Sequence, residues 1–394
     1  MSRALSFQDL VADGILCFGD GYRTKRSELA DGGYRIIRVA DISSGTVNLA
    51  GPDHVGSKFA GTIGNKAGRP NDILVTTKGT VGRVAVLPEL TGRVVYSPQV
   101  CYFRVEDERV LDRGFLRYWF SSPEFWAQAQ DRMNKTDMAA YINLADIQSL
   151  KVSLPSINEQ HGVASVLGAL DDKIAANAEL ARTADELSRA CFDRAMTRPG
   201  RTESLLFDRF DVAFGEPFRG SLFSEVGVGR PLIRIRDLYT CAPKLWSTES
   251  RVRETLVQAG DVLIGMDAEF TPVVWLGEDG LLNQRVCKVV GRDNLSRVTT
   301  RLALTRPISA IESEKSGTTV IHLNKGDLER TRVELPSEHT LEEFDHLANP
   351  LHDLTVSLAE ESRRLASLRD TLLPHLMSGR MRVRDAEKTV SDAV

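Results

Sequence analysis

Cysteine is scarce in this chain of 394 residues. The five present, Cys17, Cys101, Cys191, Cys241 and Cys287, are odd in number and scattered, and none forms a CxxC pair. That pattern indicates neither a disulfide framework nor a zinc site. Long apolar runs are missing as well. No stretch is long enough to cross a bilayer, and residues 1–14 lack the apolar core of a secretory signal. A reduced, cytoplasmic setting with no membrane association is expected. The net charge of −4 gives no bulk attraction to nucleic acid.

Catalytic signatures are absent too. Thr77-Lys78-Gly79-Thr80 has a Lys-Gly order rather than the GK[ST] ending of a phosphate loop. There is no GxSxG elbow and no HExxH pair. The Asn-Pro-Pro-aromatic and Asp-Pro-Pro-aromatic motifs of amino-methyl transfer are missing, and the nearest string, Asn349-Pro350-Leu351-His352, lies in a helical repeat. His339, His346 and His352 share that region without the i,i+4 spacing of a metal site, and are expected to be exposed or beside a helix seam. No catalytic residue, cofactor or metal is expected in the chain.

What is present is a duplication. Leu154-Pro155-Ser156 opens one long helical segment and Leu335-Pro336-Ser337 opens another, at an offset of 181 that holds without a gap to Met196 and Met377. Each helical segment follows a folded-looking region of similar size. The expected division is a globular unit over 1–155, a helix over 156–199, a second unit over 200–335, a second helix over 336–380 and a flexible tail over 381–394. A repeat of this kind presents two similar surfaces at a fixed separation.

The globular units have mixed α and β patterning, an α+β class. Tyr34-Arg35-Ile36-Ile37-Arg38-Val39 and Val100-Cys101-Tyr102-Phe103-Arg104-Val105 are strand-like. Ile73–Thr77 and Val81–Val86 flank Lys78-Gly79-Thr80 as a hairpin, and a single helix is expected from Phe115 to Met133. The second unit echoes the first: Arg234-Ile235-Arg236-Asp237-Leu238 echoes Arg38-Val39-Ala40-Asp41-Ile42, and Asp261-Val262-Leu263-Ile264 echoes Asp72-Ile73-Leu74-Val75. Gln284-Arg285-Val286-Cys287 lies where Gln99-Val100-Cys101 lies, and Thr319-Val320-Ile321-His322-Leu323 is matched to Ala140-Tyr141-Ile142-Asn143-Leu144. Anchors repeat while the loops between them diverge, the pattern of one fold with two different surfaces.

Charge is local. Lys58, Lys66, Arg69, Lys78, Arg83, Arg93 and Arg104 are interrupted only by Asp72 and Glu89; Arg285, Lys288, Arg292, Arg297, Arg301 and Arg306 are interrupted only by Asp293. Such stripes suit phosphate contact, and they suit a solvated surface equally. Lys78, Thr80 and Arg83 belong to the hairpin tip, where they can reach a groove or the DNA backbone. Gln99, Asn283 and Gln284 carry the amide that pairs with adenine, and Arg285 the fork that pairs with guanine. The alternative for each is a strand-edge residue satisfying local backbone.

The helical segments carry a heptad. Phe344, Leu347, Leu351, Leu354, Leu358, Glu361, Leu365, Leu368 and Leu372 alternate by three and four; displaced by 181 they become Val163, Val166, Leu170, Lys173, Asn177, Leu180, Ala184, Leu187 and Cys191. The seam predicts an antiparallel coiled-coil pair, a rod of roughly 60 Å at about 1.5 Å per residue. Full overlap sets Lys173 opposite Glu361, so that these two, with Asn177, form the polar part of the seam that fixes register. Pro350 is expected to kink or briefly interrupt the second helix.

In this order, and twice over, these features resemble the specificity subunit of type I restriction-modification systems. The resemblance covers nearly the whole chain. It rests on Leu154-Pro155-Ser156-Ile157-Asn158-Glu159-Gln160, on Leu167-Gly168-Ala169-Leu170-Asp171-Asp172-Lys173-Ile174, on Leu376-Met377-Ser378-Gly379-Arg380-Met381-Arg382-Val383, and on the strand-loop-strand from Pro70 to Arg83. It implies a non-catalytic subunit whose two target-recognition domains each read half of a split site in double-stranded DNA. The helices would act as spacer and dock two methyltransferase subunits, which bind S-adenosylmethionine, with motor-nuclease subunits joining for cleavage. The second unit departs from the pattern: Ile264-Gly265-Met266-Asp267-Ala268-Glu269-Phe270 lacks the Lys-Gly-Thr, and Glu338-His339-Thr340-Leu341 stands where the first linker has Glu-Gln. Two other classes compete, a coiled-coil scaffold with two protein-binding heads and a DNA-modifying enzyme with degenerate motifs.

Overall fold

The computed structural model describes residues 3–43, 45–89, 92–133, 140–315 and 321–393. The chain divides into two compact units, one of residues 1–172 with 366–394, the other of residues 173–365. Each contains a globular part and a stretch of both long helices, Ile157–Ala195 and Glu338–Met377.

In the first unit a four-stranded antiparallel sheet runs in the order Leu16–Asp20, Val100–Val105, Ile73–Thr76, Val84–Val86. Register sets Phe103 against Phe18 and Ile73. One face of this sheet is closed by rings: Phe103 lies 4.5 Å from Phe120, and Phe7 lies 5.3 Å from Trp119. A second sheet has Arg93–Tyr96 parallel to Tyr34–Ile37, with His54–Val55 and Leu29–Ala30 beyond. Arg3–Ser6 pairs antiparallel with Lys151–Leu154, which leads directly into the first long helix.

Buried Asp72 fixes how the central hairpin meets the second sheet. It accepts from Arg104 Nε (2.7 Å), Arg104 Nη2 (2.9 Å) and Tyr96 OH (2.6 Å). Leaving either charge of such a pair buried alone costs about 3–5 kcal/mol. The single helix expected from Phe115 to Met133 is instead two, Arg113–Trp119 and Pro123–Arg132. Ser122 caps the second, with Pro123 at its first position, so the chain restarts there.

The second unit repeats the topology. Its antiparallel sheet runs Phe210–Phe214, Val286–Gly291, Val262–Gly265, Pro272–Val274. In its other sheet Gly280–Leu282 lies parallel to Arg230–Ile233. Thr202–Leu205 pairs with Arg332–Leu335 ahead of the second long helix. Asp261 is buried, and Lys288 Nζ lies 2.6 Å from it, as Arg104 serves Asp72. Cys101 and Cys287 take matching places in the two sheets; both are buried, and burial pushes the Cys287 thiol up to about 12. A single helix, Arg297–Lys315, replaces the two of the first unit.

The long helices pair antiparallel. In the first unit Asp171 accepts from Arg369 Nη1 (2.7 Å) and from Arg117 Nη2 and Tyr118 OH (each 2.7 Å), tying both helices to the globular part. Buried Gln160 accepts from Asp112 N (2.9 Å) and donates to Val110 O (3.1 Å). In the second unit the Phe192 and Phe344 rings lie 5.3 Å apart. Ser296 and Thr299 donate to Asp345, at 2.6 and 2.7 Å.

One expectation about these helices fails and another holds only in part. The helix continues through Pro350, whose ring is on the exposed side, with no interruption. The seam holds only in part: Val163, Val166, Leu170, Asn177, Ala184, Phe344, Leu358, Leu365 and Leu372 are buried as the heptad sets them, but Leu180, Leu187, Leu347 and Leu354 are exposed, while Ser188, Phe192 and Ala348 are buried. The reason is that the helices pack on a globular part as well as on each other. Spacings of four bury that broader stripe better than a strict 3.5-residue seam does. Residues expected as a flexible tail form a helix, Val383–Ala393, with Ala386 buried and Val383 against Gly162.

Candidate nucleic-acid interface

The tip between Ile73–Thr76 and Val84–Val86 is held by backbone rather than left as a free loop. Thr77 N donates to Gln99 O (2.8 Å), Ile142 N to Thr77 O (3.0 Å) and Gly79 N to Ala140 O (3.3 Å). These bonds bring Lys78, Gln99 and Tyr141, from three separate parts of the sequence, to one junction at the sheet end, with Lys78 paired to Tyr141. Gly79 has φ +83°, and Gly82 (φ +88°) lies so close to Trp126 that a Cβ would meet its ring at 2.3 Å. Glycine at both positions lets the tip fold back over the helix.

The second unit builds the same junction. Met266 N donates to Arg285 O (2.9 Å), Leu323 N to Met266 O (2.8 Å) and Ala268 N to Ile321 O (3.2 Å). Asp267 is paired to His322 as Lys78 is to Tyr141. Arg285 Nε lies 3.8 Å from Asp267, and His322 Nδ1 donates to Asp267 at 2.6 Å. Ala268 stands where the first unit has Gly79, and keeps φ at +66°.

These bonds correct one match in the repeat. Ile142 corresponds to Leu323, not Ile321, and Asn143 to Asn324, because both asparagines cap the next helix by a reciprocal bond with Asp146 and Asp327. The shared Ile-x-Leu spelling misled the alignment by two residues, and the capping asparagine restores it. Thr319 and Val320 lie outside the described residues.

Of the residues expected to meet DNA, Lys78, Thr80, Gln99, Gln284 and Arg285 are exposed. Two others are turned inward. Arg83 Nη1 donates to Val39 O (3.3 Å) and Ile42 O (3.1 Å), so it braces the tip. Asn283 is buried, and its side-chain oxygen accepts from Gln284 N at 2.8 Å. Both have the local-backbone role weighed against base contact. In the helices Lys173 Nζ lies 3.5 Å from Glu361, and buried Asn177 donates to Glu361 at 2.7 Å. Tyr141, Asp267 and His322 were not singled out in the sequence. The 181-residue offset aligns Tyr141 with His322 once the capping asparagines are matched, but it does not bring out Asp267.

The basic stripes do not survive folding as free charge. Lys66 pairs with Asp20 (2.6 Å), Arg69 approaches Glu106 (3.8 Å), and Arg104 is buried on Asp72. Lys58 and Arg93 lie over the Phe59 and Tyr34 rings. In the second stripe Lys288 and Arg297 meet Asp261, Arg292 meets Asp211 (2.6 Å), Arg301 meets Asp185 and Arg306 meets Asp193 (2.9 Å). Apart from Asp72, these acids come from outside the stripes, so a count along the sequence cannot see them. Burial pushes the Arg301 guanidinium below its ordinary value. Among the described residues no group of three or more His, Cys, Asp or Glu could hold a metal ion, and no helix is long and apolar enough to cross a membrane.

Residues 15–183 match the type I restriction modification DNA specificity domain family. Over 182 residues the chain is 30% identical to the type I restriction enzyme EcoBI specificity subunit of Escherichia coli. That match covers 45% of this chain and 38% of the relative, so the chain spans well under half the length of that curated relative. In fold, the S subunit of the type I restriction-modification system of M. genitalium is similar over 95% of this chain and 96% of its own, with TM-score 0.56 and 15% identity. The HsdS subunit of Thermoanaerobacter tengcongensis, at TM-score 0.38 and 17% identity over 96% and 97% of the two chains, is too distant for an argument to rest on it. Over residues 15–183 the chain is thus similar to the type I restriction modification DNA specificity domain, and its overall fold is similar to that of an S subunit.

Proposed function

We propose that this chain is a non-catalytic DNA-specificity subunit in which each globular unit reads one half of a split site in double-stranded DNA. The paired helices are the spacer and the dock for two methyltransferase subunits, which bring S-adenosylmethionine, with motor-nuclease subunits joining for cleavage in the cytoplasm. The observation that carries this reading is one topology built twice, with the same junction presenting different side chains: Lys78 and Gln99 in the first unit, half-buried Asp267 and exposed Arg285 in the second. One such domain spans only a few base pairs of groove, so two give a longer, interrupted site. Charge does not carry the reading, because the stripes are largely ion-paired. The docking role is supported by Leu180, Leu187, Leu347 and Leu354, which are 36–48% exposed on the helix pair. The Lys173–Glu361 register places Leu180 level with Leu354 and Leu187 level with Leu347, an apolar stripe of the kind that marks protein interfaces.

The test is methyl transfer. The purified chain is expected neither to methylate nor to cut DNA; with its methyltransferase partner it directs adenine methylation at a split sequence. Methylation by the chain with the partner rigorously excluded, or methylation by the complex without a defined sequence, contradicts the proposal.

A further inference from the structure

We propose that Gln99 and Arg285 are equivalent base-reading positions, each set by its own pair of flanking residues: Lys78 and Tyr141 in the first unit, Asp267 and His322 in the second. The proposal rests on the DNA-reading function above and names the residues that make the two halves differ.

The equivalence is a matter of backbone. Gln99 O and Arg285 O each receive the amide next to the tip, Thr77 N and Met266 N, and the carbonyls of those two residues each receive the amide of the third segment, Ile142 N and Leu323 N. The bridges Lys78–Tyr141 and Asp267–His322 close both junctions. Side chains with structural work are the same in both copies: Asp72 and Asp261 are buried on cations, and Asn143 and Asn324 cap helices. The three positions at the junction change in every case, Lys to Asp, Gln to Arg and Tyr to His. They change where side chains face solvent: Lys78, Gln99, Arg285 and His322 are exposed.

The second junction also carries backbone strain. Arg285 has φ +69° and Ala268 has φ +66°, both in the left-handed region that non-glycine residues rarely occupy. Non-glycine residues stay there when surrounding contacts over-determine them, which is characteristic of functional sites. Here the contacts are the three junction bonds. They aim Arg285 outward beside Asp267, which lies 3.8 Å from its Nε and is itself held by His322 at 2.6 Å.

The chemistry follows from side-chain shape. A guanidinium restrained by a carboxylate presents a fork to guanine O6 and N7; the Gln99 amide presents a donor and an acceptor to adenine N7 and N6. Lys78 beside Gln99 adds a cation suited to the adjacent phosphate, whereas Asp267 at the same place restrains its neighbour instead.

The experiment maps modified adenines in a host lacking other adenine methylation, carrying this chain with its methyltransferase partner. Arg285→Gln is expected to change one base of the second half-site and leave the first intact; Gln99→Arg does the converse. Asp267→Asn is expected to relax the second half-site at the same base, with discrimination falling on the order of tenfold or more. An unchanged motif in both Arg285→Gln and Gln99→Arg, with methylation retained, overturns the proposal. If Arg285→Gln abolishes methylation, all substituents are tested at position 285; the proposal requires at least one that methylates a changed second half-site, and fails if every active variant keeps the original one. A wild-type complex that methylates no split sequence instead refutes the DNA-reading function itself.

Discussion

His352 shows how a single residue escapes a sequence-based reading. Its spacing from His339 and His346 excludes a metal pair, and a heptad count places it at the seam margin, yet it is buried in the second unit with Gly260 at its ring. Burial holds its pKa below the ordinary 6.5 against the opposing pull of Asp353, with Arg297 and Arg301 adding to the lowering. Above about pH 6.5 the imidazole is neutral in folded and unfolded chains alike. Below that value the unfolded chain takes up a proton that the folded chain resists, so stability falls as pH descends toward the folded pKa. His352→Gln should flatten the decline in urea midpoint between about pH 7 and about pH 5; an unchanged slope in the variant contradicts this assignment. Arg83 and Asn283 have the same lesson. Their residue types suit DNA contact, but whether a side chain points to solvent or to a carbonyl depends on where Val39 and Ile42, or the turn at Gln284, come to lie. The exposure of Lys78, Gln99 and Arg285 was legible because hairpin tips and strand starts are exposed almost by construction. Asp267 and His322 were not, since the pair is joined only in three dimensions.

Among the elements, the strands were the most legible. Ile73–Thr76, Val100–Val105 and Tyr34–Ile37 fall within the β-branched and aromatic runs that mark them. The long helices were legible in extent and direction but only partly in face. The heptad names Leu180 and Leu354 as seam residues, whereas the fold exposes them and buries Ser188 and Ala348, because each helix has a globular part to cover besides its partner. The polar contact at the register position is present: Lys173 lies 3.5 Å from Glu361, which also accepts from Asn177. Both ends of this pair are partly exposed, so its net contribution is small, about 0–1 kcal/mol. Lys173→Glu, which sets like charges together, should lower stability by about 0.5–1 kcal/mol, and adding Glu361→Lys should recover most of it. A double variant no more stable than the sum of the two singles would show that the charges do not interact in solution.

At the scale of the whole molecule, the duplication is the property from which the proposed function descends. The two units share the order of the antiparallel sheet, one parallel strand pair and the tip junction. They differ in the side chains that the junctions expose. The same difference explains why the repeated fold was legible in the sequence while a ligand sequence is not: Leu154-Pro155-Ser156 and Leu335-Pro336-Ser337 lead into helices that the fold needs, whereas Gln99 and Arg285 are exposed side chains that the fold leaves free to differ. The central claim, that each unit reads its own half-site, is tested most directly by exchanging residues 200–335 for the matching unit of a related chain and mapping the methylated bases of the reconstituted complex. The account predicts that one half of the methylated sequence changes and the other is retained; a change in both halves, or in neither, would contradict it.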